Sequence, residues 1–171
     1  VRALLLTLAD RAGVVPRESA GLAVIAKEKR PLLRRLGVTI GALDVFVPAL
    51  LKPGPRALLK EIGVDARPVH AAMDAVIAGA RDNPAGYRRA GNQAIRVDMA
   101  EKLFRAAHER RASLAGRAFA LDPALATSMG LTADNFVRLM REAGFRPAEA
   151  RRLPEGAFGP PAPTLWSWRA P

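Results

Sequence analysis

The chain has no cysteine, which excludes disulfides and cysteine-ligated zinc. Only two histidines occur, His70 and His108. They lie far apart with no carboxylate at ligand spacing, so each reads as a surface or half-buried helix residue and not a metal ligand. No stretch approaches the roughly 18 apolar residues of a membrane span. The opening VRALLLTLADRAG is too short and too soon charged for a secretory signal. A cytoplasmic protein without a membrane partner is the expectation. Catalytic signatures are missing too: the sequence holds no G-x-x-x-x-G-K-[ST], G-x-S-x-G, H-E-x-x-H or G-x-G-x-x-G, and no lysine follows a glycine. Ser19, Ser113, Ser128 and Ser167 have no histidine at a telling distance. The chain on its own is therefore expected not to be an enzyme, with no catalytic residue, metal ligand or cofactor assigned to it.

What is present is a folded-domain composition: of 171 residues, 50% are hydrophobic and 25% charged. That length suits one domain or two small ones. The net charge is +11 and the pI about 11.4. The excess is spread along the chain, with 11 basic against 6 acidic residues up to Asp65 and 16 against 10 beyond it. A pI this high in a folded domain points to a polyanionic partner, RNA or DNA. An arginine-rich chain that is also rich in alanine, glycine and proline is a composition that a GC-rich genome tends to produce.

Along the chain, the opening segment reads as a helix with Leu4, Leu5 and Leu8 on one side. AKEKRPLLRRLG is a short helix closed by Gly37, and VTI is extended. Pro48 cannot sit in a central strand or deep in a helix, so Val45–Val47 is extended or entering a turn and Pro48 opens a short helix stopped at Lys52-Pro53. GPRALLKEIG forms a helix with Leu58, Leu59 and Ile62 at helical spacing. RPVHAAMDAVIAGARDNP reads as another, with a stripe of Val69, Met73, Val76 and Ile77. Its end is loop chemistry and divides the chain into a helical part, 1–83, and a second part, 84–171.

The second part opens with two extended pieces around Gly91-Asn92. A helix follows, with Asp98 and Glu101 in a capping-box pattern and Met99, Leu103, Phe104 and Ala107 facing inward. GRAFALD is a brief strand and PALATSMG a short helix. LTADNFVRLMREAG is a helix capped by Thr132 and ended by Gly144, with Phe136, Leu139, Met140 and Ala143 inward. FRPAEA and TLWSWRA alternate as strands, separated by a proline-rich loop.

This order fits a winged helix-turn-helix, so the fold class expected is mainly α (α+β), a helical part followed by a winged-helix-like part with short strands. A helical bundle with a small hairpin gives similar periodicities. In the winged reading the Thr132–Ala143 helix faces nucleic acid and RPAEARRLPEGAFGPPAP is the wing. Candidate phosphate contacts are Arg138 and Arg141 on that helix, Arg88, Arg89 and Arg96 on the hairpin, Arg110 and Arg111 at a helix end, and Arg151 and Arg152 in the wing. Trp166 and Trp168 share a strand face, where base stacking competes with core packing.

RRLGVTIGALDVFVPALLKP, followed by AGYRRAGNQAIRVDMAEKL and a tail LWSWRAP, resembles the C-terminal region of bacterial superfamily-two ATP-dependent helicases related to the helicase of the mitochondrial RNA degradosome. The resemblance covers most of the chain, is specific in the first two strings and is loose around residues 64–84. It implies a fragment lying beyond two RecA-like motor domains, with ATP and magnesium belonging to those domains and a nuclease as a further partner. It assigns no residue here a role. Three functions follow as expectations: an accessory domain that binds the nucleic-acid backbone without strong sequence preference, a winged-helix module docking proteins for the same helicase, and a winged-helix transcriptional regulator.

Overall fold

Leu4 and Leu8 stand one helical turn apart, so a helix over this stretch presents both to one side. In the computed structural model, which describes residues 1–64, 74–79, 83–148, 155–156, 158–159 and 163–170, helix α1 (Arg2–Asp10) buries that pair. They join Val15, Leu22, Ile25, Leu33, Val38 and Val45 in one apolar cluster. Chain contacts divide the protein into two compact units, Val1–Glu101 and Lys102–Pro171.

The first unit is mixed, not simply helical. Strand β1 (Val14–Pro16) and β2 (Thr39–Ile40) flank β3 (Asp44–Phe46) in an antiparallel sheet, with Val15 and Ile40 both opposite Val45. Helix α2 (Arg30–Arg35) precedes β2. Pro48 begins a 3-10 turn, Pro48–Leu51, as its fixed φ and missing N–H favour, and α3 (Pro53–Ile62) follows. The unit holds a second antiparallel sheet, in which β4 (Val76–Ala78) and β5 (Tyr87–Ala90) flank β6 (Gln93–Arg96).

The structure differs from expectation at three places. Val76 and Ile77 belong to a strand, paired with Ile95 and Ala94, and not to a helical stripe. The apolar run Ala75–Ala78 is too short for periodicity to separate strand from helix. His70, Val69 and Met73 lie outside the described residues. On α3, Leu58 and Ile62 are 56% and 59% exposed, while Arg56 is 1% exposed. The helix exists where its spacing predicts it, yet it turns an arginine inward. The hairpin β5–β6, read from sequence as the start of the second part, pairs with β4 and lies in the first unit.

Helix α4 (Val97–Ser113) leads into the second unit. There β7 (Phe119–Ala120) is followed by α5 (Ala124–Thr127), α6 (Ala133–Glu142), β8 (Phe145–Pro147) and β9 (Leu165–Trp168). The antiparallel sheet runs β7-β9-β8. Leu103, Phe104, Ala107, Phe119, Leu131, Phe136, Leu139, Met140, Ala143, Phe145 and Trp166 are buried, which is the face expected of both long helices. Met99 is only half-buried. Gly144 has φ of +86° where α6 ends, and the Arg169 carbonyl and the Trp168 indole nitrogen, 3.2 Å away, fill the space a Cβ would take. Any other residue there would be strained twice over. Among the described residues, no helix is long and apolar enough to cross a membrane.

Candidate nucleic-acid interface

Of the nine arginines named from sequence, seven are described and fall into three groups. Arg88 and Arg96 are held by carboxylates. Arg88 Nε donates to Asp44 Oδ2 at 2.7 Å, and its Nη2 donates to Oδ1 and to the Leu43 carbonyl, each at 3.1 Å. Arg96 Nε and Nη2 donate to Asp98 Oδ1 and Oδ2 at 2.6 and 3.0 Å, and that hydrogen bond holds the Arg96 guanidinium above its ordinary pKa. Asp98 is thus engaged by Arg96. Glu101 Oε2 accepts from the Ala42 amide at 2.8 Å. The helix begins at Val97, so Asp98 lies inside its first turn and pairs with a near neighbour, whereas Glu101 meets an amide 59 residues back.

Arg111 is half-buried, its guanidinium carbon 4.1 Å from the centroid of the Trp168 ring. Trp168 also meets His108 edge-on at 5.6 Å between centroids, and its indole N–H donates to the Ala143 carbonyl at 3.0 Å. Trp166 packs against Phe136 at 5.5 Å and is 3% exposed. Trp166 is therefore core and half-buried Trp168 is engaged by Arg111 and His108, so packing accounts for both indoles better than base stacking does.

Arg89, Arg110, Arg138 and Arg141 are exposed. Arg89 Nε donates to the Gly91 carbonyl at 3.0 Å, curling over its own turn. Arg110 lines a cavity of about 510 Å³ with Ala106, Leu121, Asp122 and Leu125, an apolar hollow bearing one charge of each sign. Arg138 and Arg141 stand one turn apart on α6, whose buried face is Asn135, Phe136, Leu139 and Met140. Next to them Arg146 donates Nη1 to the Arg141 carbonyl at 2.7 Å, which brings a third cation to the C-terminal end of the helix. Cations are favoured there by the helix dipole. Arg151 and Arg152 lie outside the described residues.

Sequence reasoning passed over Arg56. Its Nη2 donates to the Ala85 carbonyl at 2.8 Å, and the guanidinium carbon lies 5.4 Å from the Tyr87 ring centroid. Burial lowers the pKa of Arg56 and raises that of Tyr87. Gly86, at φ +83°, leaves room for the guanidinium. No local pattern marks it, since its acceptor is 29 residues downstream. Comparison with protein-family models, with curated proteins and with solved structures gives no match to the chain.

Proposed function

We propose that the chain is an accessory nucleic-acid-binding domain of an ATP-dependent RNA or DNA helicase. It would hold the phosphate backbone without strong sequence preference, while RecA-like domains of the same protein supply the motor and bind ATP and magnesium. The helicase assignment rests on the two strings quoted above. The observation that carries the binding role is α6: its apolar face is buried and Arg138, Arg141 and the adjoining Arg146 are exposed. The order α4, β7, α5, α6, β8, β9 with sheet order β7-β9-β8 supports a winged-helix reading of this unit, with α6 as the helix presented to nucleic acid. Three exposed cations and no exposed aromatic on α6 and β8 suit backbone contact better than base stacking.

A second reading, a docking module of the same helicase, is favoured by Leu58 and Ile62, which are exposed on α3. A salt series separates the two. Labelled RNA and DNA oligomers, single- and double-stranded, are titrated by fluorescence anisotropy against the chain and against Arg138→Glu with Arg141→Glu. The expected result is weak, sequence-indifferent binding whose log affinity falls with log salt by about 0.7–0.9 per phosphate neutralised, with the double variant shallower by roughly 1.5. No binding at low salt would overturn the reading in favour of docking. Tight binding to one duplex over scrambled competitors would overturn it in favour of a regulator.

A further inference from the structure

We infer that the first unit carries a phosphate-backbone-binding surface of its own, formed by Lys27, Lys29, Arg34 and Arg35. The inference rests on the nucleic-acid reading above and extends it to residues that the hairpin arginines had obscured. All four side chains are exposed. Among the described residues, none of the four makes an ion pair or a side-chain hydrogen bond, whereas Arg88 and Arg96 are each held by a carboxylate. Glu28 is the single acidic residue between Lys27 and Arg35.

The segment is fixed in place. Ile25 precedes the 3-10 turn Lys27–Lys29, Leu33 lies in α2, and both are buried in the cluster around Leu4, Leu8 and Val45. The cations thus stand on anchored backbone instead of a solvated tail. Helix stability does not account for the set. Arg34 and Arg35 close α2, where positive charge is favourable, but Lys27 and Lys29 sit at its opposite end, where the helix dipole disfavours them. Residues 24–36 contain no aromatic and, Glu28 aside, no acceptor side chain. A surface of cations with nothing to stack on a base or read its edge suits a phosphodiester backbone, held without sequence choice.

The test titrates the same labelled oligomers against the whole chain, against the variant carrying Lys27→Gln, Lys29→Gln, Arg34→Gln and Arg35→Gln, and against Arg138→Glu with Arg141→Glu. The first variant is expected to bind about 10-fold more weakly at about 50 mM salt, with a salt slope shallower by roughly 2–3. Its thermal midpoint should not change. Two partial variants, one pairing the lysine changes and one pairing the arginine changes, are each expected to show part of the loss. Wild-type affinity and slope in the four-residue variant would overturn the inference while leaving the α6 reading to its own variant. Loss there with no loss in the α6 variant would uphold it and overturn the α6 reading. No binding by the unmodified chain would overturn both. Poly-L-glutamate of matched charge competing as well as RNA would overturn it in favour of an acidic protein partner.

Discussion

Arg88 and Asp44 form a two-point ion pair, 2.7 and 3.1 Å across its two hydrogen bonds, with side chains 21% and 10% exposed. The pair fastens hairpin β5–β6 to the first sheet. Glu101 on the Ala42 amide and Arg56 on the Ala85 carbonyl join the same two stretches of chain. Leu51 and Val97 complete the joint, packed with Val14 and Phe46. The two strings that stand out in the sequence are therefore the two sides of one packed unit.

Breaking this pair should cost stability and leave binding alone. Asp44→Ala and Arg88→Ala are each expected to destabilise by about 3 kcal/mol, since each leaves a largely desolvated charge behind. The double variant should lose less than their sum. Urea denaturation of the four proteins measures the coupling. Arg88→Ala should keep the parent's salt dependence of nucleic-acid affinity; a shallower slope would return Arg88 to the interface.

Gly86→Ala should be among the most damaging single-methyl changes in the chain. Its φ is +83°, and the added carbon would meet Arg56 Nη1 and, at 3.0 Å, Leu51 Cδ2. Backbone strain and the clash together are expected to cost at least ~2 kcal/mol. Thermal denaturation tests this, with Gly63→Ala, where nothing lies within 4 Å of the added Cβ, as the milder reference.

Arg111 should behave as a structural cation. Arg111→Ala removes the group lying over Trp168 and is expected to cost ~0.5–1 kcal/mol. It should also raise acrylamide quenching of tryptophan fluorescence, because Trp166 is buried and the newly opened ring is Trp168. Nucleic-acid affinity should change less than in Arg138→Glu with Arg141→Glu.

Stability should fall on mild acidification through His108. Burial, and next the charge of Arg111, hold its imidazole below the ordinary 6.5, with Phe145 at 4.9 Å and Trp168 at 5.6 Å against the ring. The folded state favours the neutral form, so this contribution is complete above pH 6.5 and is lost as the pH drops below it. Thermal midpoints from pH 7.5 to 5 should decline more steeply in the parent than in His108→Gln.

Local chemistry was readable in the sequence and distant partnership was not. Pro48 opening a short helix, Gly91-Asn92 between two strands, and α6 from its Phe136, Leu139 and Met140 stripe all depend on residues within one or two turns of each other. Val76–Ala78 defies a local reading because what makes it a strand is Ile95, on a segment that comes after a turn and another strand. Glu101 stands at capping-box spacing from Asp98, yet it meets an amide 59 residues away. Arg56 shows the same limit: nothing near it in the chain announces a buried guanidinium. For the candidate interface, the arginine stripe on α6 was legible as an exposed face. That Arg88 is engaged depends on Asp44, 44 residues back, and no local pattern sets Lys27, Lys29, Arg34 and Arg35 apart.

The pairing of Asp44 with Arg88 also sets an order of events during synthesis. As the chain leaves the ribosome, β1, β2 and β3 are complete more than thirty residues before Tyr87 appears. Until then the carboxylate of Asp44 and the amide of Ala42 have only water to bond. The first sheet can close early, but it gains its charge partner only when the hairpin arrives and its last acceptor only with Glu101. A nascent chain stalled short of that point would hold a native-like sheet with its polar seam still wet, and resistance to protease should rise in a single step once Glu101 has emerged.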